Sequence, residues 1–360
     1  MSLLTKFEGL VLPASADFHV HLRDGTMMET VIPTIRAGGV NTVYVMPNLN
    51  PPLTSVSEVL AYKCRLQKQD PSINYLMTLY LHERITPAVV EEASACGIMG
   101  IKSYPAGVTT NSSSGVLSYE PFYPVFAAME KCGMVLNLHG ECPSDQERDI
   151  TILNAESTFL PTLKSLHARF PALKIVLEHC TTKAAIEAVE ECGANVVGTI
   201  TIHHLFLTVD DWADDPFCFC KPVAKLPSDR AALIQAAVNG TGKFFLGSDS
   251  APHDITAKKG GRGKTSAGVF TQPYVTQQFF EAIERAVSNG VILEDTVTPK
   301  VVRGFLGEFG RNFYGVPSTS DELIVLSKRK EKIKDSYYGE GVEIIPFRQG
   351  KSTWSISWKS

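Results

Sequence analysis

Two histidines stand one residue apart at the end of a short apolar run, in Asp17-Phe18-His19-Val20-His21-Leu22-Arg23. If the run is a β-strand, its side chains alternate between faces, so His19 and His21 share one face. Two imidazoles side by side can offer nitrogen to a single divalent ion. Taken alone, such a pair is more often an ordinary polar strand end. Other metal-competent residues, however, close other apolar runs. Lys102 lies in Gly-Ile-Lys-Ser-Tyr, His139 ends Val-Leu-Asn-Leu-His, His179 ends Ile-Val-Leu-Glu-His, and Asp249 follows Phe-Phe-Leu-Gly-Ser. A structural role would scatter these residues between both ends of the strands and the helices. Their shared position at C-terminal strand ends points to a metal centre.

Lys102 is the unusual member, because an ammonium ion repels metals. Carbamylation by carbon dioxide would remove the charge and create a two-oxygen, carboxylate-like group able to bridge two ions. The set then divides into His19, His21 and Asp249 on one metal, His139 and His179 on the other, and modified Lys102 shared. Two metals about 3.5–4 Å apart can activate a bridging water and polarise a carbonyl together. Nitrogen and oxygen ligands with open positions favour zinc among the first-row metals. His82 and His167 are expected on the surface or on helices. His203-His204, just after the seventh expected strand, is expected to be structural, and Cys180 is expected in the core.

The elements that must carry these residues are legible as short β-rich runs. Strands are expected at Ala16–Leu22, Thr42–Met46, Tyr75–Leu81, Gly100–Tyr104, Val135–His139, Lys174–His179, Asn195–Ile202 and Phe244–Ser248. Helical periodicity fills several intervals: Ser57–Lys68, Ala88–Cys96, Tyr123–Lys131, Lys183–Glu191, Asp229–Val238 and Thr276–Ser288. Eight strands alternating with helices predict an α/β fold, a (β/α)8 TIM barrel over residues 1–318 with its site at the C-terminal strand ends. An open doubly wound sheet would call for a glycine-rich phosphate loop after the first strand, and none is present. Asp321–Ser327, Gly341–Phe347 and Ser352–Trp358 predict a small β-rich extension over 319–360, packed on the barrel.

The whole chain sets outer bounds. It has 360 residues, 44% hydrophobic and 20% charged, a globular balance with length enough for a sizeable core. A net charge of −4 without a strong basic block argues against nucleic acid. The densest basic run, Lys328-Arg329-Lys330, reads as a solvated turn. Eight scattered cysteines without a CxxC pair suggest free thiols in a reducing compartment. No apolar run approaches the ~18 residues of a membrane helix, and the N-terminus lacks a signal-peptide core, so a cytoplasmic protein is expected.

With these residues assembled, the sequence resembles the dihydroorotases of the amidohydrolase superfamily, most nearly the short monofunctional type and its fungal branch. The words that carry the resemblance run in order along the barrel. They include Asp-Phe-His-Val-His-Leu-Arg-Asp-Gly from Asp17, Val-Met-Pro-Asn-Leu from Val45 and Pro-Pro-Leu-Thr from Pro51. Lys-Ser-Tyr-Pro-Ala-Gly-Val-Thr-Thr-Asn-Ser from Lys102, Asn-Leu-His-Gly-Glu from Asn137 and Glu-His-Cys-Thr-Thr from Glu178 follow, then Gly-Ser-Asp-Ser-Ala-Pro-His from Gly247. His203-His204-Leu-Phe-Leu-Thr and Phe219-Cys220-Lys221-Pro222-Val223-Ala224-Lys225 point to the fungal branch.

The resemblance implies reversible cyclisation of N-carbamoyl-L-aspartate to L-dihydroorotate, in de novo pyrimidine synthesis. It implies two zinc ions per subunit, bridged by Lys102 as N6-carboxylysine and by a hydroxide, with His19, His21, His139, His179 and Asp249 completing the ligands. Asp249 is the implied acid and base. Arg23, Asn48 and His253 are the implied carboxylate-binding residues, with backbone contact near Ala267 and Lys221 lining the pocket. Bacterial members tend to carry an apolar residue at the position of Lys221. The segment Gly107–Ser112 is implied to be a loop that closes over substrate through Thr109 and Thr110. A homodimer is implied as well. The nearest alternatives are a hydantoinase-like cyclic amidase and a single-metal deaminase, which needs no bridging lysine. An inactive scaffold barrel is the alternative from another class, and it conflicts with the full ligand set.

Overall fold

The computed structural model describes residues 4–261, 265–317 and 321–359. After a short strand β1 (Val11–Pro13), eight strands follow with helical crossovers: β2 (Ser15–Val20), β3 (Val40–Val45), β4 (Asn74–Tyr80), β5 (Gly100–Ser103), β6 (Val135–His139), β7 (Lys174–Glu178), β8 (Val196–Ile200) and β9 (Phe244–Leu246). They form one parallel sheet in the order β2-β3-β4-β5-β6-β7-β8-β9. The ends meet just beyond β9, where Asp249 N donates to His19 O at 2.9 Å and His21 N donates to Ser250 O at 3.0 Å. The sheet therefore wraps into a nearly closed barrel with helices outside, as the alternation of elements predicted.

Alternation along the strands divides the interior from the helix-facing layer. Leu76, Val135, Val176, Val197 and Phe245 point into the barrel and pack with Ala16, Phe18 and Tyr44. Their neighbours Met77, Leu136, Ile175, Val196 and Leu246 belong to the larger core between barrel and helices. Tyr314, from the helix Phe309–Tyr314, closes the floor, its ring stacked 5.1 Å from Phe18. Strand β2 departs from plain alternation. Its pairing with β3 shifts register between Asp17 and Val20, so Phe18 joins the barrel floor while His19 and His21 line the opening above. A shift of this kind re-aims side chains.

Outside the barrel, β10 (Leu323–Lys332) pairs antiparallel with β1 and with β13 (Ser352–Lys359). A two-stranded ribbon, β11 (Tyr337–Gly339) and β12 (Val342–Ile344), sits between them in sequence. The three-stranded sheet thus draws on both ends of the chain. The expected helices are present with ends moved by one or two residues, for example Val56–Gln69 and Val275–Ser288. Ala155–Arg169 is an additional helix, with Pro161 inside it. All eight cysteines are free. Among the described residues no helix is long and apolar enough to cross a membrane.

Candidate active site

The strands deliver the candidate ligands to one opening. His19 lies within β2, Lys102 within β5, and His139 is the last residue of β6. His21, His179 and Asp249 lie just past strand ends, where pairing no longer dictates the backbone. His179 and Asp249 take positive φ angles of 41° and 47°, and Arg23 one of 59°. Such conformations cost a non-glycine residue roughly 1–3 kcal/mol and persist only where the surroundings impose them. The Asp249 turn is held by Asp17, whose Oδ1 accepts from Ser248 N at 2.8 Å, and by the bond to His19 O. Burial pushes the Asp17 carboxyl up to about 7 against those hydrogen bonds.

Four imidazoles stand in a row. Ring centroids are 5.3 Å apart for His21 and His19, 5.1 Å for His19 and His179, and 4.6 Å for His179 and His139. Hydrogen bonds on the far side of three rings assign their protons. His19 Nδ1 donates to Glu178 Oε2 at 2.8 Å, and His21 Nδ1 donates to Asn48 Oδ1 at 2.8 Å. The Asn48 amide is itself oriented, because its Nδ2 donates to Thr110 O at 3.1 Å. Burial lowers His21 to about 4, so its ring is neutral at pH 7. The Nε2 lone pairs of His21 and His19 then face Asp249 Oδ1 at 2.9 and 3.4 Å. Three acceptors converging without a proton between them fit a cation.

The other half of the site fits a metal for a different reason. His139 Nε2 lies 2.7 Å from Glu141 Oε2, which leaves Nδ1 free for coordination. His179 Nδ1 and Lys102 Nζ are buried and have no hydrogen-bond partner. Lys102 has no solvent exposure, and burial lowers its amine to about 8 although Glu178 and Asp249 pull the other way. A buried amine without a hydrogen-bond partner is suited to carbamylation. Partners holding the distal ring nitrogens, as Glu178 and Glu141 do here, orient metal-ligating histidines generally.

The remaining expected residues gather around the same opening, which leads into a small cavity. His19, His21, Arg23, Asn48, Thr109, Thr110, His139, His179, Lys221, Asp249 and Ala267 all line it. Lys102 is fully buried and does not line it, and His253 stands behind Arg23, with Nε2 at 3.1 Å from Arg23 Nη2 and 2.9 Å from Ala267 O. Burial, with Arg23 adding to it, lowers His253 to about 2, so the ring is neutral and that nitrogen serves one partner at a time. Arg23 Nε donates to Pro252 O at 3.0 Å, which aims the guanidinium. Gly268 is required next to Ala267, because a Cβ there would stand 2.4 Å from Ala251 O.

The Gly107–Ser112 segment lies across the cavity. A bridge between Pro105 and Val116 ties its base. Asn111 Nδ2 donates to Asn48 O at 2.9 Å, Thr110 Oγ1 to Ala267 O at 3.4 Å, and Lys221 Nζ to Val108 O at 2.7 Å. Glu178, Glu141 and Tyr104 belong to the site although sequence reasoning gave them no role. Glu178 carried a signal, an acidic residue in the inward phase of an apolar strand. His203 and His204, with Cys220, form a second buried cluster outside this cavity.

No protein-family model matches the chain. The chain is 49% identical to a probable dihydroorotase of Schizosaccharomyces pombe, over 97% of this chain and 99% of that protein. It is 45% identical to the dihydroorotase of Saccharomyces cerevisiae, over 97% of this chain and 98% of that one. The crystal structure of the Saccharomyces cerevisiae dihydroorotase in complex with 5-fluoroorotic acid superposes with a TM-score of 0.90 at 43% identity, covering 98% and 99% of the two chains. An L-hydantoinase (dihydropyrimidinase) of Arthrobacter aurescens shares the fold, with a TM-score of 0.75 at 16% identity over 96% of this chain and 87% of the other.

Proposed function

The chain belongs to the dihydroorotase family of metal-dependent amidohydrolases, and from that premise we propose that the cavity interconverts N-carbamoyl-L-aspartate and L-dihydroorotate. The observation that carries the assignment of roles is the meeting of Arg23 with the four imidazoles and Asp249 in one cavity. Both substrates are anions, and a guanidinium held by Pro252 O can bind a carboxylate by two parallel hydrogen bonds. Asn48, His253 and the Ala267 backbone surround that carboxylate position.

His19, His21 and Asp249 would hold one divalent ion, His139 and His179 a second, and carbamylated Lys102 would bridge them. Bound there, two such ions, zinc foremost, would supply an activated water and a polarised amide carbonyl. In ring opening, Asp249 takes the proton of the attacking water and delivers it to the departing ring nitrogen. In ring closure the same carboxyl gives and takes the proton in reverse order. Thr109 and Thr110 contact the bound substrate, and the loop that carries them excludes bulk water. A homodimer belongs to the proposal on family grounds, and sedimentation equilibrium reads it directly.

Hydantoinase chemistry is the second candidate because the fold is shared. Steady-state ring opening of L-dihydroorotate and of hydantoin by the metal-loaded enzyme separates them. Dihydroorotate is expected to be strongly preferred, and Arg23→Gln to lower its kcat/KM by about 100-fold, the loss of a charge-assisted bidentate contact. Equal turnover of hydantoin, with no effect of Arg23→Gln, would contradict the proposal.

A further inference from the structure

The turn His203–Leu205, which follows β8, places two imidazoles against Cys220. The cluster is fully enclosed, with His203 at 0%, His204 at 1% and Cys220 at 1% exposure. One donor atom from each residue lies within 4.8 Å of the other two. His204 Nε2 is 3.6 Å from Cys220 Sγ, and the carbonyl oxygen of Pro222 lies 3.1 Å from that nitrogen and 3.2 Å from that sulfur. His203 has no hydrogen-bond partner on either ring nitrogen.

His203 is the anomaly. A buried polar group is nearly always hydrogen-bonded, and leaving one unpaired costs about 1–3 kcal/mol. His204 and Cys220 can satisfy themselves on Pro222 O, but nothing satisfies His203. We propose that His203, His204 and Cys220 form a further metal site, separate from the catalytic cavity, that takes a zinc(II)-class ion with the Pro222 carbonyl as fourth donor.

The dimensions and the protons both suit that ion. In a tetrahedral zinc site, bonds of about 2.0 Å to nitrogen and 2.3 Å to sulfur set those two atoms about 3.5 Å apart. The 3.6 Å separation of His204 Nε2 and Cys220 Sγ is that edge. His204 Nδ1 lies 2.8 Å from Thr201 Oγ1, so the tautomer protonated at Nδ1 keeps a partner while Nε2 turns to the metal. The thiol of Cys220 loses its proton to solvent as the sulfur–metal bond forms, one proton per ion bound. Thiolate and imidazole together select borderline or soft ions over magnesium or calcium. Four protein donors leave no open position, so the role is structural. The ion would pin the His203–Leu205 turn to the 220–222 run, whose Lys221 amine holds Val108 of the loop.

Cobalt(II) distinguishes this site from the catalytic one, which contains no sulfur ligand. Metal-stripped full-length protein is titrated with cobalt while the near-ultraviolet thiolate-to-cobalt charge-transfer band is recorded. The band is expected in the wild type, to be lost in Cys220→Ser, and to need roughly tenfold more cobalt in His203→Gln, which keeps the thiol and loses one ligand. Zinc-loaded wild type is expected to hold one more ion per chain than Cys220→Ser by plasma mass spectrometry. Should Cys220→Ser fail to fold, His203→Gln carries the test. No charge-transfer band in the wild type, or a band unchanged in His203→Gln, would overturn the proposal. Neither readout depends on turnover, so this proposal and the catalytic one fail separately.

Discussion

The amine of Lys102 has neither solvent nor a hydrogen-bond partner, and burial brings it down to about 8. At pH 7 about one such amine in ten is neutral, against about one in 2,500 for an ordinary lysine near 10.4. Only the neutral amine attacks carbon dioxide. In metal-stripped protein at fixed dissolved carbon dioxide, uptake of one carbon dioxide by Lys102 should accelerate about tenfold per pH unit below 8 and level off above it. Mass spectrometry of quenched samples reads this, and a rate still climbing tenfold per unit from pH 9 to 10 would contradict it. The residues proposed as ligands were legible as a group because metal chemistry uses few side chains and these ended recognisable strands. Glu141 was not, and Glu178 showed only as an acid in an inward strand phase, because a carboxylate that holds the distal nitrogen of a histidine carries no spacing rule. Their parts follow only from His19 Nδ1 and His139 Nε2 at 2.8 and 2.7 Å.

Strands and loops differ in how much they disclose. The barrel strands were readable because each inward phase and each outward phase is buried, which leaves a short apolar run bounded by polar residues. Their ends were less so. His21, His179 and Asp249 lie beyond the last paired residue, and the positive φ of His179 and Asp249 is a conformation that no strand periodicity announces. The β2 register shift that turns both Phe18 and His19 inward is likewise tertiary. Ala155–Arg169 escaped notice because Pro161 interrupts a helical pattern that its buried Phe159, Leu163 and Leu166 nevertheless hold in place. The Gly107–Ser112 loop supports a prediction at this scale. Thr109 and Thr110 line the cavity without contributing metal ligands. Thr109→Ala with Thr110→Ala should lower kcat by about 10²-fold or more, as expected when groups that act in the transition state are removed, and leave metal content near wild type. Unchanged turnover would remove the loop from the mechanism.

At the level of the molecule, barrel and outer sheet divide the work. We propose that the 319–360 extension stabilises the fold without entering the chemistry, since none of its described residues lines the catalytic cavity. Trp354 on β13 is 1% exposed, 5.5 Å from the ring of Phe280, and its indole NH lies 3.3 Å from Glu284 Oε2. Trp354→Ala should cost about 3–5 kcal/mol, read from the urea midpoint, while kcat of the folded enzyme stays near wild type. A loss of kcat without a shift of the midpoint would assign the extension a catalytic part. The β-rich end was visible as alternating runs, but the entry of β1 into its sheet was not. A three-residue strand such as Val11–Pro13 gives too short a pattern to recognise.

The account rests on Lys102 joining two metal half-sites into one. Native mass spectrometry of the intact zinc-loaded chain, wild type beside Lys102→Met and Cys220→Ser, tests this most directly. Wild-type protein should carry one carbon dioxide on Lys102. Cys220→Ser, stripped of the proposed outer ion, should retain that adduct and two zinc ions. Lys102→Met should lose the adduct and at least one zinc. A single zinc and an unmodified Lys102 in fully active Cys220→Ser enzyme would contradict the two-metal centre.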